Sequence, residues 1–150
     1  MPEKIVVASD HSGFALKEKV KAHLEQRGLA VRDLGTHSLD SVDYPEFAHR
    51  LAEEVASGRF PRGVAVCGTG IGVSIAANRH RGVRAAVAYD ENTARLSRQH
   101  NDANVLALGG RSLEHEKALR ILDVWLDTPF EGGRHARRVG EIDAGSTGPR

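Results

Sequence analysis

Short apolar runs rich in β-branched residues alternate along this chain with longer stretches whose apolar positions recur every three or four residues. Lys4 to Ala8 (KIVVA) reads as a buried strand that stops at Ser9-Asp10-His11-Ser12-Gly13. From Phe14 the positions Phe14, Ala15, Leu16, Val20 and Leu24 carry helical spacing, and Gly28 stands where a helix-ending glycine belongs. Leu29 to Leu34 forms a second strand, the loop Gly35 to Asp43 leads to Tyr44-Pro45, and proline suits the first turn of the helix marked by Phe47, Ala48, Leu51, Ala52 and Val55. Gly58 closes that helix. Gly63 to Cys67 is a third strand, followed by the turn Gly68-Thr69-Gly70-Ile71-Gly72 and a helix starting at Val73. Val83 to Ala88 is a fourth strand, after which Asp90 caps a helix running toward His100. Val105 to Leu108 is a fifth, and Leu113 to Leu126 is the longest amphipathic helix.

Strand and helix alternate throughout, which predicts right-handed βαβ crossovers and a parallel sheet covered on both faces. The expected fold is one three-layer α/β/α sandwich with a five-stranded parallel sheet of Rossmann-like type, spanning residues 1–143. The polar, basic stretch after Pro129 has no assigned element, and residues 144–150 read as a flexible tail.

Charge alters this picture little but excludes much. Twenty-one basic and 20 acidic residues leave a net charge of +1, so no basic stripe grips a nucleic-acid backbone, and any phosphate recognition is local. No apolar run approaches the roughly 18 residues that span a bilayer, which argues against a membrane partner. The lone Cys67 cannot pair within the chain, and MPEKIVVASD carries no charged leader with a long apolar core; both predict a reducing, cytoplasmic setting.

Ligands of such sheets bind beyond the carboxyl ends of the strands. There the chain places Asp10 and His11, then Cys67 to Gly72, then Tyr89 and Asp90, then Arg111, which together supply a thiol, an imidazole, carboxylates and a guanidinium. Glycines let backbone N–H groups approach an anion closely, so the turn at Gly68–Gly72 suits a phosphate or a developing oxyanion; a tight turn without ligand is the plain alternative. A dinucleotide fingerprint fits poorly, because it wants glycine at Val73. Cys67 is either a small buried apolar group or, beside a helix N-terminus, a thiolate serving as base or nucleophile. His23, His49, His80 and His115 lie among charged helical neighbours and read as solvated surface groups, while His37 in its loop is undecided. No H-x-x-x-H or C-x-x-C pair occurs, so no metal is required. Arg134 and Arg138, four apart, face the same way if that stretch is helical and either clamp a phosphate or form a solvated basic patch.

Taken in order, Asp10-His11-Ser12-Gly13-Phe14, Gly35-Thr36, Asp43-Tyr44-Pro45, Cys67 to Gly72, Ala76-Ala77-Asn78, Ser97 to Asn104 and Glu131 to His135 resemble the type B ribose-5-phosphate isomerases across nearly the whole chain. The resemblance implies aldose–ketose interconversion of ribose 5-phosphate and ribulose 5-phosphate, a step of the pentose phosphate pathway, with no metal and no organic cofactor. It assigns Cys67 as base, and the turn Gly68, Gly70, Ile71 and Gly72 with Asn78 as the enediolate site. Thr69 and His100 handle ring opening, Asp10 orients sugar hydroxyls, and Tyr44 lines the pocket. His11, Arg134 and Arg138 bind phosphate, with Arg111 and Asn101 close by. One branch of the family carries a glutamate base just after the glycine turn; Val73 stands there in this chain, which places it with the cysteine branch. The family further implies a homodimer or dimer of dimers in which His100 and the arginines face the Cys67 loop of another subunit. The rival readings are an isomerase of allose 6-phosphate or galactose 6-phosphate, a non-catalytic sugar-phosphate binding module, and a dinucleotide-dependent oxidoreductase.

Overall fold

The computed structural model describes residues 2–145. Five strands, β1 (Lys4–Ser9), β2 (Ala30–Asp33), β3 (Arg62–Cys67), β4 (Ala85–Val87) and β5 (Val105–Gly109), form one sheet in the order β2-β1-β3-β5-β4. Every pairing is parallel. The helices are α1 (Phe14–Gln26), α2 (Tyr44–Ala56), α3 (Ile71–Ala77), α4 (Glu91–Gln99), α5 (His115–Asp127) and α6 (Arg134–Ala144), with a 3₁₀ turn at His11–Gly13. None of the described helices is long and apolar enough to cross a membrane.

The strand order follows from the crossovers. β1 to β2 and β4 to β5 step one way along the sheet, whereas β2 to β3 and β3 to β4 step the other, so right-handed connections divide the helices between the two faces. Leu16, Val20 and Leu24 of α1 pack with Ala94 of α4 and with Ile121, Leu122 and Trp125 of α5 on one face, against Ile5, Val7, Val64, Val66, Leu106 and Leu108. On the other face Phe47, Leu51 and Val55 of α2 and Val73 and Ala77 of α3 cover Val6, Ala8, Ala65, Val105 and Ala107. Central strands buried on both faces are continuous apolar runs, which is why β1, β3 and β5 stand out in the sequence.

Most boundaries shift by one or two residues from the sequence expectation, and four differences matter for the site. β4 is only three residues long: it lies at the sheet edge, and Val83 is held instead in a turn by its N–H to the His80 carbonyl. α3 starts at Ile71, inside the glycine turn rather than after it, with Gly70 at φ +82° as the cap. β1 extends to Ser9, which donates its N–H to the Gly35 carbonyl. The stretch after Gly133 is the helix α6, which buries His135 and Val139 and is tied to the loop before β4 by Arg84–Asp143, at 2.9 Å. Ala144 is therefore the last turn of a helix rather than the first residue of a tail, and 146–150 of that expected tail lie outside the described residues.

Candidate active site

The switch point between β1 and β3, where crossovers leave in opposite directions, gathers the polar strand ends. Asp10 is buried and caps the 3₁₀ turn, its Oδ1 accepting from Gly13 N–H (3.0 Å) and Ser12 Oγ (2.6 Å). His11 Nδ1 accepts the Val42 N–H at 3.2 Å, so in the neutral ring the proton sits on Nε2. That bond adds to the Ser9–Gly35 and Ser9–Thr36 backbone bonds in joining the end of β1 to the loop before α2, whose first residue, Tyr44, lays its ring over Gly72. A Cβ at Gly72 would stand 2.5 Å from Tyr44 Cε1, so the contact needs glycine.

Cys67 ends β3, buried, with the Gly70 N–H directed at its Sγ at 3.2 Å. Left-handed Gly70 is what bends the turn back onto the sulfur; a Cβ there would press on the Leu108 carbonyl carbon at 3.0 Å. Thr69 Oγ1 accepts the Ile71 N–H (3.2 Å), and its carbonyl accepts the Tyr89 hydroxyl (2.5 Å). β5 braces the same turn from the other side: Gly110 N–H donates to the Cys67 carbonyl (2.8 Å), Arg111 N–H to the Gly68 carbonyl (3.0 Å), and Ser112 Oγ to that same carbonyl (3.3 Å). The outcome is a thiol beside a rigid cradle of backbone N–H groups at the start of α3, flanked by a carboxylate, an imidazole and Arg111. Such a set can perform acid/base chemistry on an anion.

The remaining candidates lie elsewhere. α4 runs back from the carboxyl end of the sheet, so His100, its C-cap, and Asn101 sit near the amino-terminal edge, where Asn104 joins the start of β3. The length of β5 separates the two edges, roughly 16 Å for its five residues. Arg134 opens α6 and Arg138 follows one turn later; both are exposed, and α6 packs at that same edge through His135, stacked on His100 with ring centroids 4.3 Å apart. Asn78, expected at the glycine turn, is the C-cap of α3 and spends its amide on β4, donating to the Ala85 carbonyl (2.9 Å) and accepting the Ala85 N–H (2.7 Å). One chain therefore brings together Asp10, His11, Tyr44, Cys67 to Gly72 and Arg111, but not His100, Asn101, Asn78, Arg134 or Arg138.

Ser112 escaped sequence reasoning; it braces the site together with Tyr89 and Ser12, which the sequence places after strand ends without a role. Asp90 is an N-cap, as its spacing predicts, accepting the Thr93 N–H at 2.6 Å. The helical histidines are half-buried and partnered rather than simply solvated: His23 with Asp123 (2.7 Å), His49 with His80 (2.7 Å) and His115 with the Gly110 carbonyl (3.3 Å). Glu131, His135 and His100 place their ligand-type atoms within 4.8 Å of one another. A search for paired His or Cys overlooks that group, because its local spacing is Glu-x-x-x-His and its third member comes from another helix.

Fold and site together define a doubly wound α/β protein that presents acid/base groups and an anion cradle at the carboxyl edge of its sheet. The family model described as Ribose/Galactose Isomerase matches residues 5–142, and the chain belongs to that family. It is 49% identical, over 142 residues and 95% of both chains, to ribose-5-phosphate isomerase B of Escherichia coli strain K12. The ribose-5-phosphate isomerase B structure from Clostridium thermocellum superposes with a TM-score of 0.93 at 52% identity, covering 94% of this chain and 95% of that one. A third relative, ribose-5-phosphate isomerase B from Mycoplasma genitalium with bound ribulose 5-phosphate, gives 0.92 at 42% identity and 96% coverage of each.

Proposed function

We propose that the chain interconverts D-ribose 5-phosphate and D-ribulose 5-phosphate through an enediolate, with Cys67 as the base. The observation that carries this reading is the Cys67 thiol at a strand end with a backbone N–H turned onto its sulfur, in a chain so close to named ribose-5-phosphate isomerases. The thiolate removes the C2 proton of the open-chain aldose to give the enediolate, a proton passes from O2 to O1, and the proton held by Cys67 is returned at C1. Meanwhile the amides of the Gly68–Gly72 turn that are not donated to Cys67 Sγ or Thr69 Oγ1 hold the developing oxyanion, and that preorganised field lowers the barrier. Asp10 orients sugar hydroxyls and Thr69 takes part in ring opening.

His100 joins that step from a second copy. Because one chain keeps His100, Asn101, Arg134 and Arg138 at the far edge, the complete site is shared between subunits of a homodimer or dimer of dimers. The phosphate lies between His11 and Arg111 of one subunit and Arg134 and Arg138 of the other. Exposed Ile71 and Ile75 on α3 and Ile142 on α6 supply apolar surface for such an association. The setting is the cytoplasm, residues 1–143 act as one catalytic domain, and the chemistry draws on no metal or organic cofactor.

The test is turnover of ribose 5-phosphate by EDTA-treated wild type and Cys67→Ala, side by side. Turnover by wild type with a loss of at least about 10³-fold in the variant is the expected result. Near-normal kcat in folded Cys67→Ala overturns the base assignment. No turnover by folded wild type, with conversion of galactose 6-phosphate or allose 6-phosphate instead, moves the substrate to a six-carbon sugar.

A further inference from the structure

Beyond the glycine turn, the described residues hold one cluster of metal-ligand type, and the proposed chemistry uses only one of its members. His135 Nε2 lies 3.5 Å and His100 Nε2 4.0 Å from Glu131 Oε1. The His135 side chain is 7% exposed, and its Nε2 is buried without a hydrogen-bond partner among the described residues. An imidazole nitrogen left unpaired in the interior is unfavourable, and here it is directed into a group containing a carboxylate and a second imidazole. The backbone beneath the cluster is held: Glu131 N–H donates to the Gln99 carbonyl, and His135 N–H to the Gly132 carbonyl. Glu131 and His135 are brought together across the Gly132-Gly133 bend that precedes α6.

We propose that His100, Glu131 and His135 bind a divalent transition-metal ion of the zinc class, and that the bound ion silences the isomerase by taking His100 out of ring opening. The second half rests on the isomerase reading; the first does not. Two imidazoles and one carboxylate form a donor set typical of zinc, with the remaining positions left to water. Nitrogen donors also select zinc, cobalt or nickel over magnesium and calcium. Metal–ligand bonds of about 2.1 Å hold donors roughly 3.4 Å apart, so His135 and Glu131 already stand at ligand spacing and His100 must close on them. His100 can make that movement, since 40% of its side chain is exposed, whereas His135 is the fixed member. The stacked rings open as the ion enters between their Nε2 atoms. Arg134 and Arg138 oppose a cation and Glu131 is its single anionic ligand, which weakens the binding.

The test uses the metal-free full chain, titrated with zinc chloride by calorimetry and with cobalt chloride by visible absorption, beside an isomerase assay with ribose 5-phosphate. Wild type binds one zinc per chain, magnesium does not substitute, and activity falls in competition with substrate and returns with EDTA. Glu131→Gln and His135→Asn each weaken zinc binding by more than about tenfold and lose the inhibition, read as the ratio of treated to untreated activity so that any change in basal rate drops out. Cys67→Ala binds zinc like wild type. Absent binding, unchanged binding in both ligand variants, or binding lost in Cys67→Ala overturns the site. Binding as described without inhibition overturns the silencing alone. A wild type that binds zinc but never turns over ribose 5-phosphate supports the metal site and removes the isomerase reading.

Discussion

Cys67 shows how little a residue's type says until its neighbours are in place. Free cysteines are mostly inert buried groups, and Cys67 is indeed buried; what distinguishes it is the Gly70 N–H at 3.2 Å and the bracing of its carbonyl by Gly110. Arg138 is the opposite case, an exposed guanidinium without a carboxylate partner among the described residues. Its role in the proposed site is to hold a phosphate group that does not react. Arg138→Ala therefore raises KM for ribose 5-phosphate by roughly ten- to a hundredfold with kcat little changed, the loss of one charged hydrogen bond. Steady-state kinetics across a wide substrate range check this, and a fall in kcat at unchanged KM moves Arg138 into the chemical step.

At the scale of elements, α1 and β2 are locked by a buried ion pair. Lys17 is fully buried, its Nζ 2.6 Å from Asp33 Oδ2 and 3.0 Å from Glu18 Oε1, while Asp33 Oδ1 accepts the Gly35 N–H that begins the loop to Tyr44. Burial raises the Asp33 carboxyl, but the Lys17 ammonium and the Gly35 amide outweigh it, leaving the group below the ordinary carboxylate value. A carboxyl depressed by folding contributes stability that is complete above its unfolded value, about 3.9, and is lost as pH falls through the folded value. Asp33→Asn costs about 3 kcal/mol near neutral pH, because it leaves the buried Lys17 ammonium only the half-exposed Glu18 carboxylate, and flattens the acid limb of the stability curve. Lys17→Met added to Asp33→Asn recovers most of the loss. Urea midpoints across pH 2–7 measure both effects, and an Asp33→Asn variant as stable as wild type shows that the pair contributes nothing. The apolar periodicity announces α1 but gives no sign that Lys17 is buried, since a lysine in a helical pattern reads as solvent-facing.

For the whole molecule, the division of the candidate site between two sheet edges is the governing feature. If each complete site draws Cys67 from one subunit and His100 from the other, Cys67→Ala and His100→Asn homodimers are both inactive. Mixed, unfolded together and refolded, they form about half heterodimers, each with one intact site, and recover about one quarter of wild-type activity. No recovery in a sample shown to contain heterodimers overturns the shared site. The alternation of strands and helices, the apolar central strands and the Cys67–Gly72 turn were all legible in the chain, because local periodicity and turn chemistry depend on neighbours a few residues away. The motifs also carried the family, but not the placement of their parts. Asn78 reads as part of the glycine motif, yet it is spent on β4 because α3 carries it away from the turn. α6 was invisible as an element, since a polar stretch acquires a buried face only when His135 meets His100. Strand order, the bracing of the turn by Tyr89 and the distance between Cys67 and His100 were decided by tertiary structure alone. Each depends on contacts between segments tens of residues apart, which the pattern along a single chain does not encode.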